Sequence, residues 1–318
     1  MNATQGPRPL SSPAVDPRDP LSPGTHTLVV QHGTAAVDQR YRVAGTGPVC
    51  VAHSGGLGIG WESLRVPELE RSMTVVYLEP VGTGASGRLA DPRDYTLATY
   101  THFLHAVIEH LGLAEAALLG HSHGGFVAQR YALDHPERLA SLVLYDTSPM
   151  TGEEFRAAAV ADMQSFVQRH ADERPEVATY VAGLTTRLER SDDEGATKVL
   201  RTISPAYFHD YWGREEEFAV GRASLRMFAA PAWGGVEPPF DVREELPRLT
   251  APALVLVGGD AFICGTRWAH MMHRLLADAR LVILQETGYL GHIERPEKFT
   301  AAVRDLLNGR PCGRRSRR

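Results

Sequence analysis

Gly120-His121-Ser122-His123-Gly124 follows the apolar run 116–119 and precedes a stretch with amphipathic, helix-like spacing. A serine framed by glycines where a strand turns into a helix is the context of a nucleophile elbow. Small flanking residues let the helix pass close to the strand, while the serine sits at a tight, strained bend. Ser122 is therefore read as the chemical centre of the chain.

Outward from this elbow, β-rich runs at 49–53, 74–79, 116–120, 139–146, 253–258 and 281–285 alternate with segments of helical period. That rhythm predicts an α/β fold with a mostly parallel sheet and helices on both faces. Leu97, Tyr100, Leu104, Val107, Ile108 and Leu111 fall at helical spacing, as do Trp268, Met271, Met272, Leu275 and Leu276, and both stripes read as core faces. From 147 to 249 the strand rhythm stops, and Phe155, Met163, Phe166 and Val167 imply helices, so an inserted helical cap is expected there. The expected division is an extended or disordered segment at 1–24, a core of 25–146 and 250–308, a cap of 147–249, and a basic tail at 309–318.

With 318 residues and 43% hydrophobic content, the chain is long enough to bury a large core. A net charge of -5 gives no electrostatic reason to expect nucleic acid or a membrane surface as partner, which leaves a small molecule. No apolar stretch approaches the ~20 residues that span a bilayer, and neither export nor anchoring is expected. Cys50, Cys264 and Cys312 are widely spaced and odd in number, so they read as small hydrophobes in a cytoplasmic protein. Neither a metal nor a cofactor is expected, and the oligomeric state is left open.

Ligands of open parallel sheets gather beyond the carboxyl ends of the strands. One such loop is His53-Ser54-Gly55-Gly56-Leu57-Gly58, whose small residues let amides approach a substrate oxygen. With the elbow it predicts an oxyanion hole made by the N–H groups of Gly56 and His123. The glycines of 79–87 fit neither phosphate-binding nor dinucleotide spacing and read as a structural turn, with Glu79 part of it. The side chains of His121 and His123 read as elbow packing. Asp146 reads as a loop-capping residue, with a substitute acid as the alternative.

Taken together, HSGG at 53, LEPVGTGASG at 78, GHSHGG at 120, LVLYDTSP at 142 and FICG at 262 resemble the α/β-hydrolase superfamily, in its proline-iminopeptidase-like branch. The resemblance covers roughly residues 26–308 and implies the α/β-hydrolase fold. It also implies a serine nucleophile, a histidine base after the last strand, and an aspartate after the preceding strand that orients it. Relatives release N-terminal residues from peptides or cleave related amides and esters.

Two of these positions depart from the pattern. The position of the acid, directly before the Phe-Ile-Cys run, is Ala261, with Asp260 one place earlier. The position of the base is Tyr289, and His292 matches a second histidine that some relatives carry. Either shifted loops bring Asp260 and His292 to Ser122 as a hydrolytic triad, or the relay is absent. In the second case the pocket serves cyclisation, lyase or isomerase chemistry on a small specialised metabolite, with Tyr289 and His292 moving protons. Trp212 with Glu215 resembles the acidic sites that hold a substrate ammonium in peptidase relatives, the alternative being a solvated helix face. A third reading is a ligand-binding protein without catalysis.

Overall fold

The structure, a computed structural model, describes residues 19–186, 192–229, 239–307 and 309. Most of the expected N-terminal segment and basic tail, including Cys312, lies outside the described residues.

Eight strands form one sheet in the order β1-β2-β4-β3-β5-β6-β7-β8. They are β1 Gly24–His32, β2 Ala35–Ala44, β3 Val49–His53, β4 Thr74–Glu79, β5 Ala116–His121, β6 Leu139–Tyr145, β7 Ala253–Gly258 and β8 Ala279–Leu284. Strand β2 runs antiparallel to β1 and β4, and every other pairing is parallel. The interior strands are apolar at successive positions because both faces are covered. Leu118 and Val76 enter the core on one face, and Leu119 and Val75 the core on the other.

The β1–β2 hairpin was not among the strands expected from sequence. Its alternating apolar and polar residues are half-exposed, and Gly33 at φ +58 makes the turn between the strands. The expected strands 49–53, 74–79 and 253–258 coincide with those observed, and the others differ by one or two residues at an end.

The helices in chain order are α1 Pro67–Glu70, α2 Leu97–His110, α3 His123–Asp134, α4 Glu153–His170, α5 Tyr180–Thr186, α6 Asp193–Ile203, α7 Glu215–Ser224, α8 Thr266–Leu275, α9 Gly291–Glu294 and α10 Pro296–Leu307. Helix α2 begins at Thr96, whose hydroxyl caps the Thr99 N–H, and its stripe of Tyr100, Leu104, Val107 and Ile108 is buried as expected. Between β6 and β7, α4 to α7 build a separate apolar cluster. That cluster includes Phe166, Leu200, Tyr207 and Phe218, and it closes on Ala261, Phe262 and Tyr289 from the loops after β7 and β8. No described helix is long and apolar enough to cross a membrane.

Candidate active site

Ser122 stands between β5 and α3 at φ 53 and ψ −118, a positive-φ conformation that a residue with a side chain adopts only under constraint. The Ser122 N–H donates to the Tyr145 carbonyl at 3.0 Å, and the Thr147 hydroxyl donates to the Ser122 carbonyl at 2.7 Å. Glycine is required around it. A Cβ on Gly120 would lie 2.4 Å from the Gly124 carbonyl oxygen, and one on Gly124 would lie 2.2 Å from that of His53.

The loop after β3 approaches as expected. A Cβ on Gly55 would meet the Ser122 Cβ at 2.6 Å, and Gly56 turns at φ +77. The amides of Gly56 and His123, the latter in the first turn of α3, have no acceptor among the described residues. The loop is held by the segment after α7. Phe228 N–H donates to the Gly58 carbonyl at 2.7 Å, Gly60 N–H donates to the Arg226 carbonyl at 3.2 Å, and Ile59 pairs with Met227. Glu79 accepts from the Ala85 and Ser86 amides, so 79–87 is the structural turn its sequence implies.

A cavity of about 180 Å³ lies over Ser122. Leu57, Phe155, Leu200, Leu225, Met227 and Ile263 give it an apolar wall, and the polar side chains on it are those of Ser63, His121, Ser122, His123, Tyr207 and Tyr289. Among the described residues no Asp, Glu, Lys or Arg lines it. Burial holds the histidines uncharged. The imidazole of His123 is lowered to about 3, and that of His121 well below its usual value.

Tyr289 follows β8 and is buried against His121, with ring centroids 4.6 Å apart. Burial drives its phenol well above the usual range, and the nearby Cys264 adds to this, while the neighbouring Ser122 side chain opposes them. The phenol therefore stays protonated at neutral pH, beside the nucleophile.

His292 is buried beneath the site, and both ring nitrogens have partners. Its Nε2 lies 2.8 Å from the Ser63 carbonyl, which can only accept, so Nε2 carries the proton. With the imidazole lowered to about 4 by burial, the ring is neutral and the unprotonated Nδ1 lies 3.0 Å from the Tyr145 hydroxyl, whose one proton it shares with the Tyr289 carbonyl at 3.1 Å. The nitrogen a base would use thus faces Tyr145. The structure does not assemble His292 with Ser122 and Asp260. Asp260 turns outward, half-exposed, with Oδ2 2.8 Å from His209 Nδ1. The physical reason is local: the Asp260 N–H donates to the Thr287 carbonyl, and the tight contact between Gly258 and Gly288 locks both loops.

A second correction concerns Trp212 and Glu215. Neither lines the cavity. Trp212 packs against Phe166 and His170, and the exposed Glu215 accepts from the Tyr211 hydroxyl near Arg222. Solvation of the three-glutamate start of α7 decides this. Asp146 is buried at φ 40, one oxygen accepting the Gly258 N–H at 3.0 Å and the other without a partner among the described residues. It serves a loop cap, as read, and contacts no histidine ring.

Sequence reasoning missed Tyr145, whose hydroxyl joins His292 and the Tyr289 carbonyl. Its place directly before Asp146, at a carboxyl strand end, was the available signal. Among the described residues no group of His, Cys, Asp and Glu is arranged to hold a metal ion.

The family model of the alpha/beta hydrolase fold matches residues 47–295. The chain belongs to this family and is an enzyme of the α/β-hydrolase fold. It is 27% identical over 272 residues to a 2-hydroxymuconate semialdehyde hydrolase of Pseudomonas sp. (strain CF600), covering 82% of this chain and 86% of that one. It is 23% identical to a proline iminopeptidase of Saccharolobus solfataricus, covering 84% and 87%. Among solved structures it is similar in fold to the enol-lactonase of Burkholderia xenovorans LB400, with TM-score 0.66 and 20% identity over 88% of this chain and all of that one.

Proposed function

We propose that this enzyme activates the carbonyl of a small, uncharged, largely apolar molecule without a serine–histidine–acid relay. Its reaction is then of the cyclase, lyase or isomerase type, on a specialised metabolite. The observation that carries this reading is the protonated Tyr289 phenol on the same cavity wall as Ser122, at the position where the family resemblance implies a base. The two candidate replacements are engaged elsewhere, His292 with Ser63 and Tyr145, and Asp260 with His209. A phenol held above its ordinary pKa of ~10 is a donor and not a base at neutral pH.

In this reading the free amides of Gly56 and His123 receive the negative charge that grows on the substrate oxygen, and Tyr289 supplies a proton. Residues 147–249 act as the cap over the pocket. The uncharged lining argues against an ammonium or carboxylate substrate, because a bare charge loses its hydration there without a counter-ion. A relative named as a semialdehyde hydrolase and a neighbour in fold named as an enol-lactonase support a carbonyl or enol compound as the substrate class. Cys50 and Cys264, buried and free, fit a reducing, cytoplasmic setting.

The test is reactivity of Ser122 toward a fluorophosphonate probe, read by mass spectrometry, beside turnover of aminoacyl and p-nitrophenyl esters. Slow labelling and poor turnover are expected. Rapid labelling that disappears in His292→Ala would restore the hydrolytic triad and overturn the reading.

A further inference from the structure

The polar side chains on the cavity wall differ in what they offer a ligand. Those of Ser63, His121, Ser122, Tyr207 and Tyr289 belong to buried residues, whereas His123 is partly exposed. The Ser63 hydroxyl donates to the Gly60 carbonyl at 2.8 Å, and the His121 ring is clamped between Tyr145 and Tyr289. The His123 ring makes edge-to-face contacts with Tyr100 and Phe126, with centroids at 5.1 and 5.9 Å. Those contacts hold the ring without using its polar atoms. Its nitrogens form no hydrogen bond among the described residues and are not sealed from solvent.

The backbone of the same residue supplies one of the two amides aimed at the substrate oxygen, and that amide has no acceptor among the described residues. Ring and amide are joined through Cα and Cβ alone, so a group that meets the ring lies within a few bonds of the carbonyl. Burial, with His53 adding to it, lowers the imidazole to about 3. A neutral ring offers one N–H and one lone pair, and no counter-charge for an anion. A purely apolar occupant would strip water from the exposed nitrogen and return nothing, losing about 10-fold or more in affinity. Packing on Tyr100 and Phe126 would be served as well by a phenylalanine.

From this geometry we infer that His123 selects a substrate with a hydroxyl close to its carbonyl, the imidazole hydrogen-bonding the hydroxyl while the amide of the same residue holds the carbonyl oxygen. The substrate class is then an apolar hydroxy-ketone, its apolar arm lying against Phe155, Leu225 and Met227. The inference rests on the carbonyl-activation reading above and narrows it.

Titration calorimetry of the full chain with 2-hydroxyacetophenone and with propiophenone tests this, since the two ketones differ by a hydroxyl in place of a methyl. Wild type should bind the hydroxy-ketone about 10-fold more tightly. In His123→Phe the ratio should fall to about one, and His123→Gln, which keeps a donor and an acceptor, should retain part of the preference. The 15N resonances of the wild-type His123 ring should shift with 2-hydroxyacetophenone and stay in place with propiophenone, a readout that decides even if both variants fail to fold. Equal affinities in wild type would overturn the role of His123, as would a full preference in folded His123→Phe or an unmoved ring resonance. In each of these cases binding of propiophenone to wild type leaves the carbonyl reading standing. Binding of neither ketone would overturn the inference together with that reading.

Discussion

The two halves of the site are built by different means. On one side, the Ser122 elbow and the loop after β3 are made of backbone, with glycines 55, 56, 120 and 124 setting their approach. On the other, the loops after β7 and β8 carry side chains: Ala261, Tyr289 and His292. The backbone half follows the pattern the resemblance implies, whereas the side-chain half departs from it at Ala261 and Tyr289. A backbone device fails if one glycine gains a side chain, so it changes seldom without losing the fold. A side-chain device can be exchanged in place, because Ala261 and Tyr289 fill the same loops that a carboxylate and an imidazole would.

The comparison is broken most strongly by restoring the side-chain half. In Ala261→Asp with Tyr289→His, p-nitrophenyl ester hydrolysis should rise by at least about 100-fold, since loss of a relay member costs ~10³-fold or more. No gain would mean that the two halves are no longer aligned for acyl transfer.

The next effect is on stability, from one glycine between the two loops. A Cβ on Gly258 would lie 1.8 Å from the Gly288 carbonyl oxygen, backbone that cannot step aside. Gly258→Ala should therefore lose about 3 kcal/mol in urea unfolding, at the upper end of ordinary overpacking.

Acid should take a comparable amount from each of three buried rings. His53 and His292 are lowered to about 4 and His123 to about 3, all by burial. Between pH 6.5 and about 4 the unfolded chain binds protons that the folded chain refuses, so stability is complete above 6.5 and declines through that window. Each such ring contributes on the order of 3 kcal/mol at the acid end. Denaturant midpoints measured from pH 7 to pH 4 should fall throughout, and a flat profile would show the rings to be solvated.

Tyr289→Phe removes one hydroxyl. It should slow enzyme-dependent deuterium exchange into a ketone such as acetophenone about 10-fold while unfolding free energies in urea move by less than about 1 kcal/mol, which separates chemistry from packing. The smallest effect belongs to Glu215→Gln, far from the cavity. Stability should change by less than about 0.5 kcal/mol, and ketone exchange should not change. A loss of exchange there would return α7 to the site.

Much of this protein is legible from local sequence alone. The buried strands, the elbow at Ser122 and the glycine loop at 55–56 are short-range patterns, in which apolar runs and missing side chains dictate backbone geometry directly. The β1–β2 hairpin was harder to read because its alternation is half-solvated and its sheet partner, β4, is distant in the chain. Which neighbour a side chain faces is set by contacts between residues 51 to 229 positions apart. His292 next to Glu294 in sequence carries no sign that Ser63 and Tyr145 occupy its nitrogens. Nor does Asp260 reveal that it turns toward His209. His121 looked like packing because its residue type and place in the elbow allow that. Only the tertiary structure clamps its ring between Tyr145 and Tyr289, since a strand and a loop distant from each other in sequence must come together to do so.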